Sequence, residues 1–255
     1  CDLCEKEIEE FKDVCYLGAK FLVCGTLRAD LPYDKCYDVR KKTRRIGLGL
    51  MGIHEWLLSR GYEYEITDEL SRWLDVYVEQ SEKGANEHCD RFYLNRPIKY
   101  RSIAPNGTIG MLASTTTGIE PVFATQENVF WHTRGRKVSD GEDYDYVGDD
   151  GNKYKQYKVF HEGFKQWLEL NKDNLNFPND DISQASEDIL KDAAKKSPYK
   201  SSAGLDVKDR IDLQAIVQKY TTHSISSTLN LPQDSPWQKT FDIYQYGYEK
   251  NLKGV

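Results

Sequence analysis

The sequence predicts an α/β fold for a chain of 255 residues. Short apolar runs, typical of buried strands, recur between longer segments in which apolar residues return every three or four positions, as on one face of a helix. Strands that alternate with helices pair in parallel, because each helix carries the chain back to the edge where the first strand began. With 39% hydrophobic and 12% aromatic residues, the chain has enough apolar side chains for a packed core.

The elements before position 102 follow from apolar spacing and from residues that end helices. A helix is predicted over 7–27, ending near Gly25, and a buried strand over 46–50. A short helix follows and stops at Gly61. Thr67 or Asp68 then caps a longer amphipathic helix, since a short polar side chain at this position accepts a hydrogen bond from a free backbone N–H.

The elements after position 119 include one segment that interrupts the alternation. Residues 137–160 are acidic and rich in Tyr, and Asp149-Asp150-Gly151-Asn152 is typical of a hairpin turn, so a β-hairpin insertion is predicted there, within a surface insertion over about 137–200. The remaining elements are predicted from periodicity alone. They are strands over 120–131 and 224–231 and helices over 164–170, 185–194, 207–220 and 237–252.

Residues 102–124, SIAPNGTIGMLASTTTGIEPVFA, predict a strand, a turn and a helix start in direct succession. Pro105 fixes the backbone angle φ, and Gly107 lacks the Cβ that would keep a ligand away from the backbone. The helix that follows would present unpaired amide N–H groups to whatever the loop holds. This arrangement suits a phosphate site, but on these turn residues alone an ordinary strand-to-helix turn is the commoner explanation.

The same region resembles a known family. APNGTIG followed by TTTGIEPVFA is similar to the substrate-phosphate loop and next strand of ribonucleotide reductase large chains. Three further segments resemble the family in the family's order: RRIGLGLMG at 44–52, KYTTHSISSTLNLP at 219–232 and KGV at 253–255. The loop resembles the adenosylcobalamin-dependent (class II) branch, Ala-Pro-Thr-Gly-(Ser/Thr)-Ile, and departs from it at Asn106. The Pro-Ser-Glu-Thr-Ser loop of the di-iron-dependent branch does not match.

The resemblance implies the second half of a ten-stranded α/β barrel, with residues 1–255 as one partial catalytic domain. It implies an enzyme that reduces ribonucleoside di- or triphosphates to deoxyribonucleotides for DNA synthesis by thiyl-radical chemistry, with adenosylcobalamin as cofactor and a thioredoxin-like reductant. The substrate diphosphate would be held by the loop residues Pro105, Asn106, Gly107, Thr108 and Ile109.

Cys1 begins the string CDLC, which resembles the family's Cys-Asn-Leu motif. By that resemblance Cys1 is a redox-active residue that forms a disulfide with a Cys outside this chain. A plain structural thiol and half of a metal site are the alternatives, since thiol reactivity follows environment. Cys4 replaces a small residue of the family motif, and we expect it to be incidental.

Several family segments are missing from the sequence. The Asn-Pro-Cys-Gly-Glu string, which in the family carries the radical-forming Cys, does not occur, and neither do the N-terminal region and the C-terminal Cys pair. We therefore expect a fragment, either a split or spliced gene product or a part expressed on its own. It would be inactive alone and would need the missing N-terminal half as partner.

Composition excludes several other classes. Net charge is −6 and no basic run stands out, so nucleic acid is not expected as a partner. No apolar run is long enough to span a bilayer and no signal peptide opens the chain, which predicts a cytoplasmic protein. The six Cys are irregularly spaced and are expected to be mostly reduced, and the five His show no metal-ligand spacing, so no metal site is predicted.

Two residue patterns have simpler explanations than catalysis or cofactor binding. Glu120 has no second acid nearby in sequence, which favours a structural carboxylate over a catalytic one. GLGLMG at 47–52 lacks the glycine spacing of a dinucleotide site. The alternatives to the adenosylcobalamin-dependent reductase are a di-iron-dependent reductase large chain and an inert half-barrel that acts only in assembly.

Overall fold

The computed structural model describes residues 2–124, 126–139, 141–175, 177–178 and 181–255, with side chains from residue 5 onward. Two long helices, α1 (Asp2–Arg28) and α4 (Asp68–Arg91), pack along each other. The Oγ1 atom of Thr67 accepts a hydrogen bond from the N–H of Leu70 at 3.0 Å. Thr67 is therefore the N-cap of α4, as its sequence predicts.

Along the chain, α2 (Asp34–Thr43) and α3 (Ile53–Ser59) come between α1 and α4. The helix before Gly61 is confirmed as α3, whereas α2 was not predicted. None of the residues of α2 is buried. It therefore lacks the apolar stripe by which a helix is recognised in a sequence.

Three extended segments lie side by side in parallel. Leu48 bridges to Arg101, and Ile103 bridges to Ile225. The N–H of Leu48 donates to the carbonyl of Tyr100 at 2.9 Å, and the N–H of Ile103 donates to that of Ser224 at 3.1 Å. These bonds confirm the parallel pairing predicted for the segments at 46–50, 102–104 and 224–231, although the paired stretches are shorter than predicted.

A further parallel bridge joins Val122 to Ser201. Among the described residues of the predicted strand 120–131, this is the only β-bridge before Trp131, where an antiparallel strand begins. Residue 125 lies outside the described residues. Asn128 has a positive φ of 59°. A left-handed residue turns the chain, so the prediction of one continuous strand was wrong.

The hairpin forms a separate antiparallel sheet. It contains β1 (Trp131–Lys137), β2 (Tyr146–Val147) and β3 (Lys153–Phe160) in the order β1-β3-β2. Gly151 has a φ of 75° in the turn before β3, and Asp150 accepts a hydrogen bond from the N–H of Asn152 at 3.1 Å. The turn at 149–152 is therefore confirmed, while the sheet begins six residues before the predicted hairpin.

The rest of the described chain is mainly helical. Each predicted helix is found within two or three residues of its expected ends: α6 (Glu162–Leu170), α7 (Glu187–Lys196), α8 (Val207–Lys219) and α9 (Trp237–Glu249).

Buried side chains form separate hydrophobic clusters. One cluster joins α3, α4 and α8 to the parallel segments, with Leu57, Tyr77, Ile103 and Leu213 at its centre. A second cluster lies mostly within residues 130–199. The segment predicted as an insertion thus has a core largely of its own, while the insertion itself and the ten-stranded barrel stay predictions.

Candidate functional site

The predicted phosphate loop follows directly on the central parallel segment. The chain leaves that segment at Ile103, turns at Ala104–Asn106 and enters a one-and-a-half-turn helix, α5 (Gly107–Leu112). The N–H of Gly107 donates to the carbonyl of Pro105 at 2.8 Å, which tightens the turn. The strand, turn and helix start therefore occur in the order that the sequence predicts.

The amides at the start of α5 are available to a ligand. Among the described residues, the first backbone bond of this helix runs from the N–H of Gly110 to the carbonyl of Asn106 at 2.7 Å. The N–H groups of Thr108 and Ile109 have no backbone acceptor there, as expected for the first turn of a helix. Gly107, Thr108 and Ile109 are exposed. The loop therefore presents free donors to solvent.

The backbone at Gly107 is open to the close approach of a ligand. A Cβ built on Gly107 would have no atom within 4 Å. The space in front of this backbone is open, and a side chain there would compete with a ligand rather than with the fold.

A cavity of about 600 Å³ adjoins the loop. It is lined by Pro105, by Ser102 and Ser224 of the parallel segments, and by Arg45 and His223. Arg45 is exposed and carries a permanent positive charge. Sequence reasoning missed Arg45, because it is 60 residues from the loop and only the parallel pairing brings the two segments together.

A second cavity, of about 350 Å³, adjoins the other end of α5. We call it the threonine cavity, because Thr115, Thr116 and Thr117 line it together with Met111 of α5. Glu120 and His161 also line it. The TTTGIEP string of the sequence therefore belongs to a cavity wall.

Glu120 joins two segments of this wall. Its Oε2 atom accepts a hydrogen bond from Nη2 of Arg210 at 2.7 Å, and its Oε1 atom accepts one from the N–H of Thr228, also at 2.7 Å. Burial raises the pKa of Glu120, while the Thr228 N–H and Arg210 favour the charged form. Both oxygens have structural partners, which supports the structural role predicted for Glu120.

A buried group of titratable side chains lies beside the threonine cavity. Nε2 of His161 is 3.2 Å from Oε1 of Glu55, and the hydroxyl of Tyr199 donates to Oε2 of Glu55 at 3.4 Å. The neighbouring His54 is fully buried and its Nδ1 accepts a hydrogen bond from the N–H of Val122 at 3.0 Å. α3 contributes both His54 and Glu55, and His161 is the residue before α6.

Burial shifts the titration of every member of this group. It raises the pKa of Glu55 to about 7 and lowers the pKa of His161 to about 4 and that of His54 to about 3. It also raises the pKa of Tyr199. Desolvation disfavours the charged form of each group. Near neutral pH the two His are therefore uncharged, and Glu55 is close to the midpoint of its titration.

No sequence signal predicts this group. Its members are separated by up to 145 positions, and neither His has the spacing of a metal ligand. Within the described ranges, no three His, Cys, Asp or Glu residues are placed to hold a metal ion.

The remaining predicted site residue, Cys1, lies outside the described residues, and Cys4 is a residue of α1 whose side chain is not described. Four cysteines that are described are free thiols, at positions 15, 24, 36 and 89. Cys15 and Cys89 are buried, and Cys24 Sγ lies 3.2 Å from Nε2 of His88. Over the part of the chain that the structure describes, no helix is both long and apolar enough to cross a membrane.

Comparison with known families gives one match over most of the chain. The family described as "Ribonucleotide reductase, barrel domain" matches residues 4–79 and 98–255. The match includes the predicted phosphate loop, the lining of both cavities and the Glu55–His161 group.

Curated relatives are similar over nearly the whole chain. The vitamin B12-dependent ribonucleoside-diphosphate reductase of Mycobacterium tuberculosis (strain CDC 1551 / Oshkosh) is 24% identical over 97% of this chain and 36% of its own length. The enzyme of the same description from Thermoplasma acidophilum is 21% identical over 98% of this chain and 32% of its own length. The chain thus spans about a third of the length of the curated relatives it matches.

Two solved structures have a similar fold. The class Id ribonucleotide reductase alpha subunit of Actinobacillus ureae has a TM-score of 0.68 at 17% identity, covering 97% of this chain and 46% of that one. A B12-dependent (class II) ribonucleotide reductase has a TM-score of 0.64 at 17% identity, covering 93% of this chain and 33% of that one. At these identities the likeness establishes the fold and does not separate the two classes.

Proposed function

Because this chain belongs to the ribonucleotide reductase barrel-domain family, we propose that it forms part of the catalytic barrel of an enzyme that converts ribonucleoside di- or triphosphates to deoxyribonucleotides. The observation that carries the proposal is the loop at 105–109. It leaves the amides of Thr108 and Ile109 free, it has open space at Gly107, and it adjoins a cavity that contains Arg45. These are the donors and the charge that a diphosphate requires.

The reaction also requires reducing electrons. Reduction of the ribose replaces a C–OH bond by C–H and oxidises two thiols to one disulfide, with water as the other product. We assign one of these thiols to Cys1 and the other to a Cys outside this chain. A thioredoxin-like protein would reduce the disulfide again.

We propose adenosylcobalamin as the cofactor, on the strength of the B12-dependent relatives and of the loop sequence. When bound, the cofactor supplies the radical that starts the reaction. The cavities described above, of about 350 and 600 Å³, are of the size that holds one small ligand. Neither cavity would enclose a corrinoid, and its contacts are not assigned to particular residues of this chain.

The loop proposal is tested by comparing Gly107→Val with Thr108→Ala. If backbone amides provide most of the anchoring, Gly107→Val weakens nucleotide binding far more than Thr108→Ala does, because its branched Cβ occupies the space where the phosphates approach. Thr108→Ala removes one hydroxyl donor and costs at most about 1–3 kcal/mol, the range for a hydrogen bond to a charged group.

Isothermal titration of ADP into each variant measures both effects. Circular dichroism is the control for folding. We expect the spectrum of Gly107→Val to match that of the unaltered chain, because a Cβ at position 107 has no atom within 4 Å. Equal affinity of Gly107→Val and the unaltered chain would show that the loop is only a turn.

A further inference from the structure

A group of basic side chains lies where the parallel segments begin. Lys99 precedes the central segment, His223 precedes the segment at 224–231, and Lys253 follows α9. Nζ of Lys99 donates a hydrogen bond to the carbonyl of Thr222 at 2.8 Å. Nζ of Lys253 donates to the same carbonyl at 3.4 Å and also to that of His223. We call Lys99, His223 and Lys253 the basic cluster.

The two ammonium groups of the basic cluster are close together. Because both donate to one oxygen, at 2.8 and 3.4 Å, Nζ of Lys99 and Nζ of Lys253 are at most about 6 Å apart. Like charges at this distance repel each other. Burial, and after it the charge of Lys99, lowers the pKa of Lys253. The fold therefore holds two positive charges side by side.

Arg45 adds a third positive charge to this region. Burial lowers the pKa of His223, and the charges of Lys99, Arg45 and Lys253 lower it further. Among the described residues, no Asp or Glu forms an ion pair with any of these three cations, whereas Lys250 pairs with Asp212. Three cations thus surround one imidazole without an acidic partner in the described part of the chain.

Hydrogen bonds to the backbone hold the basic cluster in place. Oγ1 of Thr222, the residue whose carbonyl both lysines contact, accepts hydrogen bonds from the N–H groups of Tyr100 at 2.8 Å and Arg101 at 2.9 Å. The side-chain oxygen of Gln218 in α8 accepts one from the N–H of Lys253 at 3.0 Å. The backbone that carries the two charges is therefore fixed to the parallel segments and to α8.

We propose that the basic cluster, together with Arg45, is a binding site for a phosphate anion, either free or at the end of a small molecule. A phosphate group carries about two negative charges and several acceptor oxygens. One such anion contacts several cations at once, whereas a single carboxylate carries one charge and leaves two of the three unpaired. The site lies apart from the loop at 105–109.

Hydrogen-bond donors remain for this anion. An ammonium group has three N–H donors and a guanidinium group has five. Lys99 uses one of its donors on a described residue, and the side chain of Arg45 uses none. Arg45 and Lys253 are exposed. An anion from solvent can therefore reach these donors without displacing a hydrogen bond of the fold.

The basic cluster and the loop lie toward opposite ends of the central segment. Lys99 is six residues before Pro105, and six residues of extended chain span about 20 Å. One diphosphate does not contact both. His223 and Pro105 line the same cavity, of about 600 Å³, so an anion on the cluster borders the cavity next to the loop. The inference does not depend on the proposed function, and each fails by a different measurement.

The test is calorimetric titration of inorganic pyrophosphate into Gly107→Val at low salt, where exposed charges are least screened. This variant is the starting chain because it blocks the loop as a second phosphate site. We expect it to bind pyrophosphate. Adding Lys99→Gln or Lys253→Gln should weaken binding about tenfold or more, the effect of losing a hydrogen bond between charged groups.

Lys165→Gln in the same starting chain is the matched control. Lys165 is an exposed residue of α6 and forms no ion pair with a described residue. It should leave pyrophosphate affinity unchanged, because it removes one positive charge from the chain without touching the basic cluster.

Thermal unfolding gives a second measurement. Without an anion, adding Lys253→Gln should leave the unfolding temperature unchanged or raise it, because the substitution removes a repulsion. Pyrophosphate should raise the unfolding temperature of Gly107→Val more than that of the variant that also carries Lys253→Gln, since a ligand stabilises the folded chain in proportion to its affinity. An equal rise in both would contradict the inference.

Two calorimetric results would also overturn it. The first is that Gly107→Val binds no pyrophosphate, which would assign the three cations to an acidic protein segment instead. The second is that neither lysine substitution changes the affinity. Both results leave the proposed function standing, because that function is tested by ADP binding to the unaltered chain and its loss in Gly107→Val.

Discussion

Glu55 shows how burial, more than any partner, sets the chemistry of a single residue in this chain. Its carboxylate is taken out of water, and the hydroxyl of Tyr199 at 3.4 Å offsets only part of the cost. The same desolvation keeps His161 and His54 neutral. The three groups lie close together because α3 presents two consecutive polar residues to the interior.

Glu55→Gln should therefore stabilise the chain at high pH. The pKa of Glu55 is about 7 in the folded chain and 4.5 as its ordinary value, so the folded state binds more protons between these limits and loses stability as pH rises. Gln carries no charge and avoids this loss. We expect the difference in unfolding free energy to be near zero at pH 4.5 and to reach about 2–3 kcal/mol above pH 7.

Urea denaturation of both proteins across pH 4.5–8 measures this difference. The pH dependence due to Glu55 would be masked in the unaltered chain measured alone. The pKa of His161 is lowered to about 4, which makes the unfolding free energy rise with pH up to the ordinary pKa of His. The two trends oppose each other over most of the range. Glu63→Gln, at an exposed ion pair, should give a small difference at every pH. A constant difference for Glu55→Gln would contradict the assignment.

At the scale of elements, the approach of α1 to α4 depends on one glycine. A Cβ built on Gly84 of α4 would overlap the carbonyl oxygen of Tyr16 in α1. Because that atom belongs to a helical backbone, it cannot move aside as a side chain would. The two helices can therefore pack this closely only with Gly at position 84.

Gly84→Ala should destabilise the chain. Forcing the helices apart costs about 1–3 kcal/mol, which exceeds the gain of about 1 kcal/mol that Ala brings to a helix interior. The matched control is Gly25→Ala in α1, where an added Cβ meets nothing within 4 Å. We expect that change to be neutral or to stabilise by up to about 1 kcal/mol. Thermal unfolding of both variants tests the pair, and a stabilised Gly84→Ala would show that α1 and α4 are not in close contact.

Helices and strands were predictable from the sequence where their signals are local, and not where tertiary packing decides. α4 has an N-cap at Thr67 and a regular apolar face, both of which are local features of the sequence. α2 has a basic sequence with no buried residue, so local periodicity gave no signal. The segment 120–131 is rich in apolar residues, yet these pack into a hydrophobic cluster on either side of the turn at Asn128. Burial alone does not distinguish a strand from a buried turn.

The candidate site divides in the same way. The loop at 105–109 was predictable because its strand, turn and helix start are consecutive in sequence. Arg45, Glu55 and His161 were not, since each becomes part of a cavity only through parallel pairing or helix packing between distant segments. Sequence analysis therefore predicted the part of the site made by local backbone and missed the part made by tertiary contacts.

At the scale of the whole molecule, apolar side chains remain on the surface. Trp237, Phe241, Tyr244 and Tyr248 follow one face of α9 and are 54–83% exposed. Exposed apolar faces of this kind are typical of surfaces that contact another protein segment. The chain spans about a third of the length of its curated relatives, and this agrees with our proposal that the remainder of a reductase completes the site.

The last prediction concerns that completed enzyme. The chain alone should not reduce nucleotides, because it contains no Asn-x-Cys-x-Glu string for the radical-forming Cys. Supplied with the remainder of the reductase and with adenosylcobalamin, it should turn over, and Cys1→Ser should abolish repeated turnover by a natural dithiol system while nucleotide binding stays near normal. Ser cannot form the disulfide that the reaction leaves behind. Cys4→Ser is the matched control and should have a mild effect. A greater loss in Cys4→Ser would assign the redox role to Cys4, and turnover by the chain alone would refute the role of a partner.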